Sequence, residues 1–390
     1  MTFDPAAPLP GAPDPWASSS MPALRDGPPY LMTEMIAAEP ALADRIVGRL
    51  VDDPALAGVA EAVRAAASGG HPVITTGCGT SEHGAMALAA FLADALRRGG
   101  LPGSAVASVQ AFELAARVPD AALVLAVSHE GGTWATNLAL QRAHDAGVRT
   151  ALLSVGDGSP GARLADDLLL TGEQDQSWCH TVGYLSPLLA GAALAARVAG
   201  DRIDGVAVRA LLEAANEVAA AGEIAAKLAR CRRVLVVGSG IDYVTARELA
   251  LKLEEGPRLP AAALQLETLL HGHLAAVDAT TALVLVLTDG EVRGAELIER
   301  ATAALRAATT LGMPVAALVA ADLGDDLPAE LTPAGRLAVP LTSHLPRVVA
   351  GALGAAIPLQ LLAERVARAR GVNPDPIGRD DPRQAAAADA

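Results

Sequence analysis

Two glycine- and hydroxyl-bearing turns and one lysine–glutamate pair are the groups in this sequence best suited to chemistry. The first turn, Gly77-Cys78-Gly79-Thr80-Ser81, follows the apolar run Val73–Thr76. A strand that ends in such a turn and enters a helix offers backbone N–H groups and hydroxyls to an anion, a phosphate included. Glycine in a turn also serves merely to reach positive φ, so this turn gains weight from its companion, Ser128-His129-Glu130-Gly131-Gly132-Thr133, which again stands at a strand end. Lys252 and Glu255 lie three residues apart, on one face of a predicted helix. Spacing alone more often marks a solvated surface pair, and that alternative stays open. Lysine is scarce, however: Lys227 and Lys252 are the only two among 30 basic residues. Arginine serves wherever a surface cation suffices, so a retained lysine points to a need for an amine. Lys227, on an exposed helix face, is read as drift. His129, His180 and His273 carry no ligand spacing, and no metal site is predicted.

The elements that must position these groups repeat. A strand, glycine turn and helix occur at Val73–Ser81 and again at Val234–Gly240. From Gly79 to Ser128, at the end of the next core strand, is 49 residues; from Gly240 to Thr288 is 48. Two tandem α/β domains explain this, each a parallel sheet with helices on both faces and a crevice at its strand ends. Predicted strands are Val73–Thr76, Ser104–Val109, Ala121–Ser128, Thr150–Val155 and Asp167–Leu170, then Val234–Val237, Ala262–Leu266, Ala282–Leu287, Val315–Val319 and Leu337–Val339. Predicted helices include one capped by Thr33 and running toward Leu50, Pro54–Ser68, Gly84–Arg98 capped by Thr80 or Ser81, Tyr184–Ala199, a single helix Gly205–Arg230, and Leu345–Arg370 stopped by Gly371. The expected division is a flexible arm over 1–28, a first domain over 29–204, a second over 205–372, and a loose tail over 373–390.

Composition narrows the function. Hydrophobic residues make up 52% and aromatics 2%, so the cores must be built from Ala, Val and Leu. A net charge of −14 argues against nucleic acid and anionic membrane surfaces. Cys78, Cys179 and Cys231 show no paired spacing, which fits a reducing cytoplasm. No secretion signal is read at the N-terminus, and no run approaches the ~20 uninterrupted apolar residues of a membrane helix.

These motifs together resemble the sugar isomerase (SIS) domain family, over about residues 30–376. The likeness is to the isomerase half of glucosamine-6-phosphate synthase and to related isomerases, amino-sugar phosphate deaminases and deglycases. Glu248-Leu-Ala-Leu-Lys252-Leu-Glu-Glu255, His271-Gly272 sixteen residues beyond Glu255, and Pro358–Ala363 with Gly371 and Asp375-Pro376 are similar to the family pattern. The resemblance implies that Gly79, Thr80, Ser81, Ser128, His129, Glu130 and Thr133 hold a sugar or sugar phosphate. It implies that Glu255 moves a proton between C1 and C2, that Lys252 polarises the carbonyl or tunes the carboxylate, and that His271, supplied across a homodimer interface, shuttles a ring hydroxyl proton. No cofactor is implied. No glutaminase domain is read before residue 30, so no glutamine-derived ammonia is expected.

Three departures from the family pattern bear on the reaction. Glu130 stands where the family has a serine; Thr181-Val182-Gly183-Tyr184 lacks an amine found in the family's loop; and the tail after Asp380-Asp381-Pro382-Arg383 has no lysine. Two anions about 4 Å apart repel by roughly 1–4 kcal/mol, so the substrate is expected to carry less charge or no phosphate unless Glu130 turns outward. The leading expectation is an enzyme in which the Lys252–Glu255 turn and the hydroxyl-bearing loops share one cleft. A non-catalytic regulator that binds a carbohydrate derivative is the alternative.

Overall fold

The computed structural model describes residues 3–11, 24–216, 218–290 and 294–388. Runs of buried Val, Leu, Ile and Ala, apolar on both faces, become the inner strands of two parallel five-stranded sheets. The first sheet holds β1 (Val73–Thr76), β2 (Val106–Ser108), β3 (Leu123–Val127), β4 (Arg149–Ser154) and β5 (Asp167–Leu170), in the order β2-β1-β3-β4-β5. The second holds β6 (Arg233–Gly238), β7 (Ala261–Gln265), β8 (Thr281–Leu287), β9 (Val315–Ala320) and β10 (Gly335–Val339), in the order β10-β9-β8-β6-β7. Read from its other edge, the second sheet has the strand order of the first. Each sheet reverses direction of winding at the pair β1/β3 or β6/β8, the place where open α/β sheets leave a crevice at the strand C-termini.

The chain forms two compact units. One comprises Met1–Ser20, Ala38–Gln176 and Val182–Arg209; the other comprises Met21–Ala37, Ser177–Thr181 and Ala210–Ala390. Scarcity of aromatics is met by close helix approach through small residues. In the first unit, a Cβ on Gly84 of helix Thr80–Arg98 would lie 2.8 Å from Pro187 of helix Val182–Ala199. In the second, one on Gly354 of helix Arg347–Ala369 would lie 2.3 Å from the Pro340 carbonyl. Helices Val182–Ala199 and Arg347–Ala369 are long and apolar enough, by length and composition, to cross a membrane, but neither is an uninterrupted apolar run and both are mostly buried, as core helices are.

Several local expectations are corrected. Helix Thr80–Arg98 begins earlier than its apolar stripe and is capped by Gly79, with no side-chain cap bond from Thr80 or Ser81. Thr33 lies inside helix Leu31–Leu50, and its hydroxyl donates to buried Glu364 at 2.6 Å. The start of that helix is held instead by Asp375, whose carboxylate accepts from the N–H groups of Leu31 and Met32 at 2.9 and 2.8 Å. The stretch read as one helix is two, Gly205–Ala214 and Val218–Leu228. Residues 3–11 of the expected arm are docked on the first unit, where Leu9 is buried and its N–H donates to Glu173, itself paired with Arg45. Residues 12–23 of that arm lie outside the described residues. The tail carries a short helix, Pro382–Ala388, and an Arg258–Asp380 ion pair. Lys227 is exposed, as read, but its ammonium donates to the carbonyls of Pro333 and Ala334.

The two glycine turns are geometrically the same object. Gly79 has φ 57° and ψ −129°; Gly240 has φ 60° and ψ −128°. A Cβ on Gly77 would stand 2.6 Å from the Ser81 carbonyl, and one on Gly238 would stand 2.4 Å from that of Asp242. The strand therefore runs against the first turn of the following helix with no room for a side chain. Gly77→Ala and Gly238→Ala are each expected to cost about 1–3 kcal/mol in denaturant unfolding. Gly222→Ala, at an open position of helix Val218–Leu228, should be neutral or stabilise by up to about 1 kcal/mol.

Candidate functional site

In the first unit, β1 and β3 are hydrogen-bonded neighbours, with Thr76 opposite Ala126, so the turns after them emerge side by side. Thr76 and Ser128 close the two strands with buried hydroxyls that have no partner among the described residues. An unpaired buried hydroxyl costs about 1–3 kcal/mol. Ser154 Oγ and the Val155 N–H both donate to the His129 carbonyl, fixing the second turn. Gly131, at φ 70°, passes so close to Ser159 that a Cβ would meet its hydroxyl at 2.1 Å. Gly79, Thr80 and Ser81 are thus placed at the head of a helix beside Ser128, His129 and Glu130. Thr133 is the exposed N-cap of helix Trp134–Asp145, and its hydroxyl makes no cap bond. The Cys78 thiol is pushed up by burial and receives Gln110 Nε2 and Thr136 Oγ1 at 3.6 and 3.8 Å.

Glu130 does not turn outward. It is half-buried, and its carboxylate accepts from Gln174 Nε2 at 3.3 Å. Burial pushes its pKa up, Gln174 opposes that shift, and the charge of Asp175 adds to it. The Asp175 N–H donates to His129 Nε2 at 2.9 Å, so that ring nitrogen carries no proton, and Asp175 Oδ2 accepts from the Gly183 N–H. The sequence reading missed Gln174 and Asp175, which belong to no motif and are brought in by β5.

The second unit repeats the turn but fills it. Asp242 occupies the place of Ser81, two residues beyond the second glycine, and Thr288 follows the end of β8. The Asp242 carboxylate accepts from the Thr288 hydroxyl, from the Thr288 N–H at 2.8 Å and from the Asp289 N–H at 3.2 Å. An internal anion occupies this turn, whereas in the first unit the Ser128 hydroxyl has no partner among the described residues. Laying one repeat over the other in the sequence would have exposed this difference.

The lysine–glutamate pair is buried, which settles the alternative left open by its spacing. Lys252 is fully buried on helix Ile241–Glu255, 2.5 Å from Glu255 and 3.4 Å from Glu248, itself fully buried. Burial alone would lower the Lys252 pKa, but the two carboxylates hold it well above the ordinary lysine range. Glu255 keeps 23% of its side chain exposed, so the open edge of the cluster is a carboxylate. His180, set aside for lack of ligand spacing, feels this cluster: burial and then the Lys252 charge push its imidazole down to about 4, with Glu248 pulling the other way. His271 is not brought to the cluster. It is 76% exposed, pairs with Glu267 at 3.1 Å, and Glu267 pairs in turn with Arg300. Among the described residues no group of His, Cys, Asp and Glu could hold a metal ion.

Residues 227–318 match the family model for the SIS domain. The chain is 29% identical over 371 residues to the isomerizing glutamine–fructose-6-phosphate aminotransferase of Symbiobacterium thermophilum, covering 90% of this chain and 58% of that protein. The Pyrococcus horikoshii enzyme of the same name is 27% identical over 362 residues, covering 89% and 56%. The chain therefore spans little more than half the length of these relatives. Among solved structures, the C-terminal domain of glucosamine-fructose-6-phosphate aminotransferase from Francisella tularensis superposes with TM-score 0.75 at 22% identity, over 90% of this chain and 99% of that one. Tagatose-6-phosphate ketose/aldose isomerase from Escherichia coli gives TM-score 0.71 at 18% identity, over 92% and 97%. The fold is that of tandem SIS domains, and residues 227–318 are one of them.

The filled turn makes a prediction about pH. Burial raises the Asp242 carboxyl to about 6, against its hydrogen-bond donors, from 3.8 when unfolded. The folded chain then binds this proton more tightly than the unfolded one. Its contribution to stability is most favourable below the unfolded value and is lost as pH rises through about 6. Unfolding free energies of the wild type and Asp242→Asn, measured from pH 4 to pH 7, should therefore diverge, the wild type losing roughly 1–3 kcal/mol relative to the variant.

Proposed function

We propose that this SIS-domain protein binds a sugar or amino-sugar derivative and moves a proton between the carbons flanking its carbonyl, as an isomerase or as a deaminase or deglycase working through the same proton shift. The observation that carries this reading is the fully buried Lys252 ammonium between Glu248 and Glu255, with only Glu255 opening to solvent. An ion pair presents Glu255 as a carboxylate, the form that accepts a proton, and anchors it without the mobility of a surface side chain. Lys252, fully buried, acts through Glu255 by anchoring its carboxylate. The turns of the first unit bind the sugar through Gly79, Thr80, Ser81, Ser128, His129, Glu130 and Thr133.

His271 enters this reading as a group given to a second copy of the chain. Its exposure in the isolated subunit is compatible with that assignment. The protein would then work as a cytoplasmic homodimer, with the ring-opening proton handled across the interface. The names of the relatives, which pair isomerisation with fructose 6-phosphate in one case and tagatose 6-phosphate in the other, support the reaction class.

The test is isotope exchange. Candidate ketoses and amino sugars incubated with the protein in deuterated buffer should take up deuterium at C1 or C2, read by proton NMR. Glu255→Gln should slow uptake by about 10²-fold or more while leaving the fold intact, because this side chain is partly exposed. His271→Asn should also slow uptake, and mixing it with Glu255→Gln should restore part of the activity if the two act across a dimer. Binding without exchange for every sugar tested would favour a non-catalytic regulator.

A further inference from the structure

Granted that the first unit's turns bind a sugar, their chemistry says which kind. A phosphate dianion is held by cations, by hydroxyl donors or by free backbone N–H groups. The first unit contains no lysine, since Lys227 and Lys252 both belong to the second. The two arginines that reach the strand-end segment beside the turns are already committed. Arg45 meets both carboxylate oxygens of Glu173, and Arg49 donates to the Thr171 carbonyl. The Ser128 N–H is spent on the Leu153 carbonyl. In place of a cation stands Glu130, held inward by Gln174 next to Asp175. Glu82, on the first turn of helix Thr80–Arg98, adds a third carboxylate whose charge reaches Cys78.

Two further features suit a neutral carbohydrate. Ser128 Oγ is 1% exposed and unpartnered, able to donate to or accept from a sugar hydroxyl. Beside Thr133 stand two exposed rings, Trp134 and Phe112, 52–67% exposed with centroids 6.0 Å apart, in a chain with nine aromatic residues in all. Phe112 follows Gln110, which binds the turn's Cys78, so both rings border the same strand ends. An indole face packs against the C–H face of a pyranose, whereas it gives a phosphate nothing.

We propose that these turns take the unphosphorylated, hydroxyl-bearing end of a sugar derivative, with Glu130 accepting hydrogen bonds from its hydroxyls, Ser128 completing the pair, and Trp134 covering its apolar face. Glu130 is on this account the residue that sets substrate class, selecting against the phosphorylated sugars for which the relatives are named.

The experiment compares fructose and glucosamine with their 6-phosphates by ligand-observed NMR and calorimetry on the full chain. The wild type should prefer the unphosphorylated sugars by about tenfold or more. Glu130→Ser should reverse that order, Glu130→Gln, which keeps the shape and loses the charge, should narrow it, and Trp134→Ala should weaken the unphosphorylated sugars severalfold. Equal affinity, or a wild-type preference for the phosphates, would overturn this inference and leave the proton-transfer reading standing on isotope exchange. Binding of neither class would overturn both.

Discussion

An ammonium with no access to water is the constraint around which the second unit is built. Removing a lone charge from solvent costs several kcal/mol even after relaxation, and Lys252 is endured only because Glu248 and Glu255 lie one helical turn to either side of it. All three sit on helix Ile241–Glu255, so the helix itself sets their spacing, and no loop needs to move to bring them together. Arginine would not substitute, because its planar fork is larger and needs more acceptors than two carboxylates on one helix face provide. This accounts for a lysine kept in a chain that otherwise uses arginine. It also explains why the cluster presents a carboxylate to solvent and not an amine: the cation is the buried member of the trio.

The duplicated turn shows how one backbone device was put to two uses. Gly77 and Gly238 let a strand end touch the following helix, and Gly79 and Gly240 turn the chain into it with nearly equal dihedral angles. Beyond that geometry the repeats part. Asp242 satisfies the donors of Thr288 and Asp289, whereas in the first unit a serine, Ser81, stands in its place and the Ser128 hydroxyl has no partner among the described residues. The two turns carry different side chains, Ser81 and Asp242, two residues beyond the second glycine.

The sheets were legible because central parallel strands must be apolar on both faces, and no other pattern in this chain imitates them. Val73–Thr76 and Asp167–Leu170 were placed to the residue, and the remaining strands to within three residues at either end. Helix starts were less legible where backbone conformation does the capping. Thr80 and Ser81 have the right chemistry for a cap, yet Gly79 takes the position because only glycine reaches its dihedral angles without strain. The break between Ala214 and Val218 carries no proline or glycine and left no mark in the sequence. Of the site, the Lys252–Glu255 contact followed from helical spacing, while its burial did not, since a three-residue interval looks the same on a wet face and a dry one. Glu248 was within reach, four residues before Lys252 on the same face. His180 and Asp175 arrive through tertiary packing, which local sequence does not encode, and the exposure of His271 could not be read from its position beside a glycine.

The presence of only two lysines makes the central constraint directly observable. Nitrogen-15 labelling of lysine side chains yields two ammonium signals, one from Lys227 and one from Lys252. The account predicts that the Lys252 signal exchanges slowly with solvent and stays protonated above the ordinary lysine range of about 10.4, because Glu248 and Glu255 hold its charge. A Lys252 signal that exchanges as fast as a surface amine, or that titrates at or below that range, would contradict it.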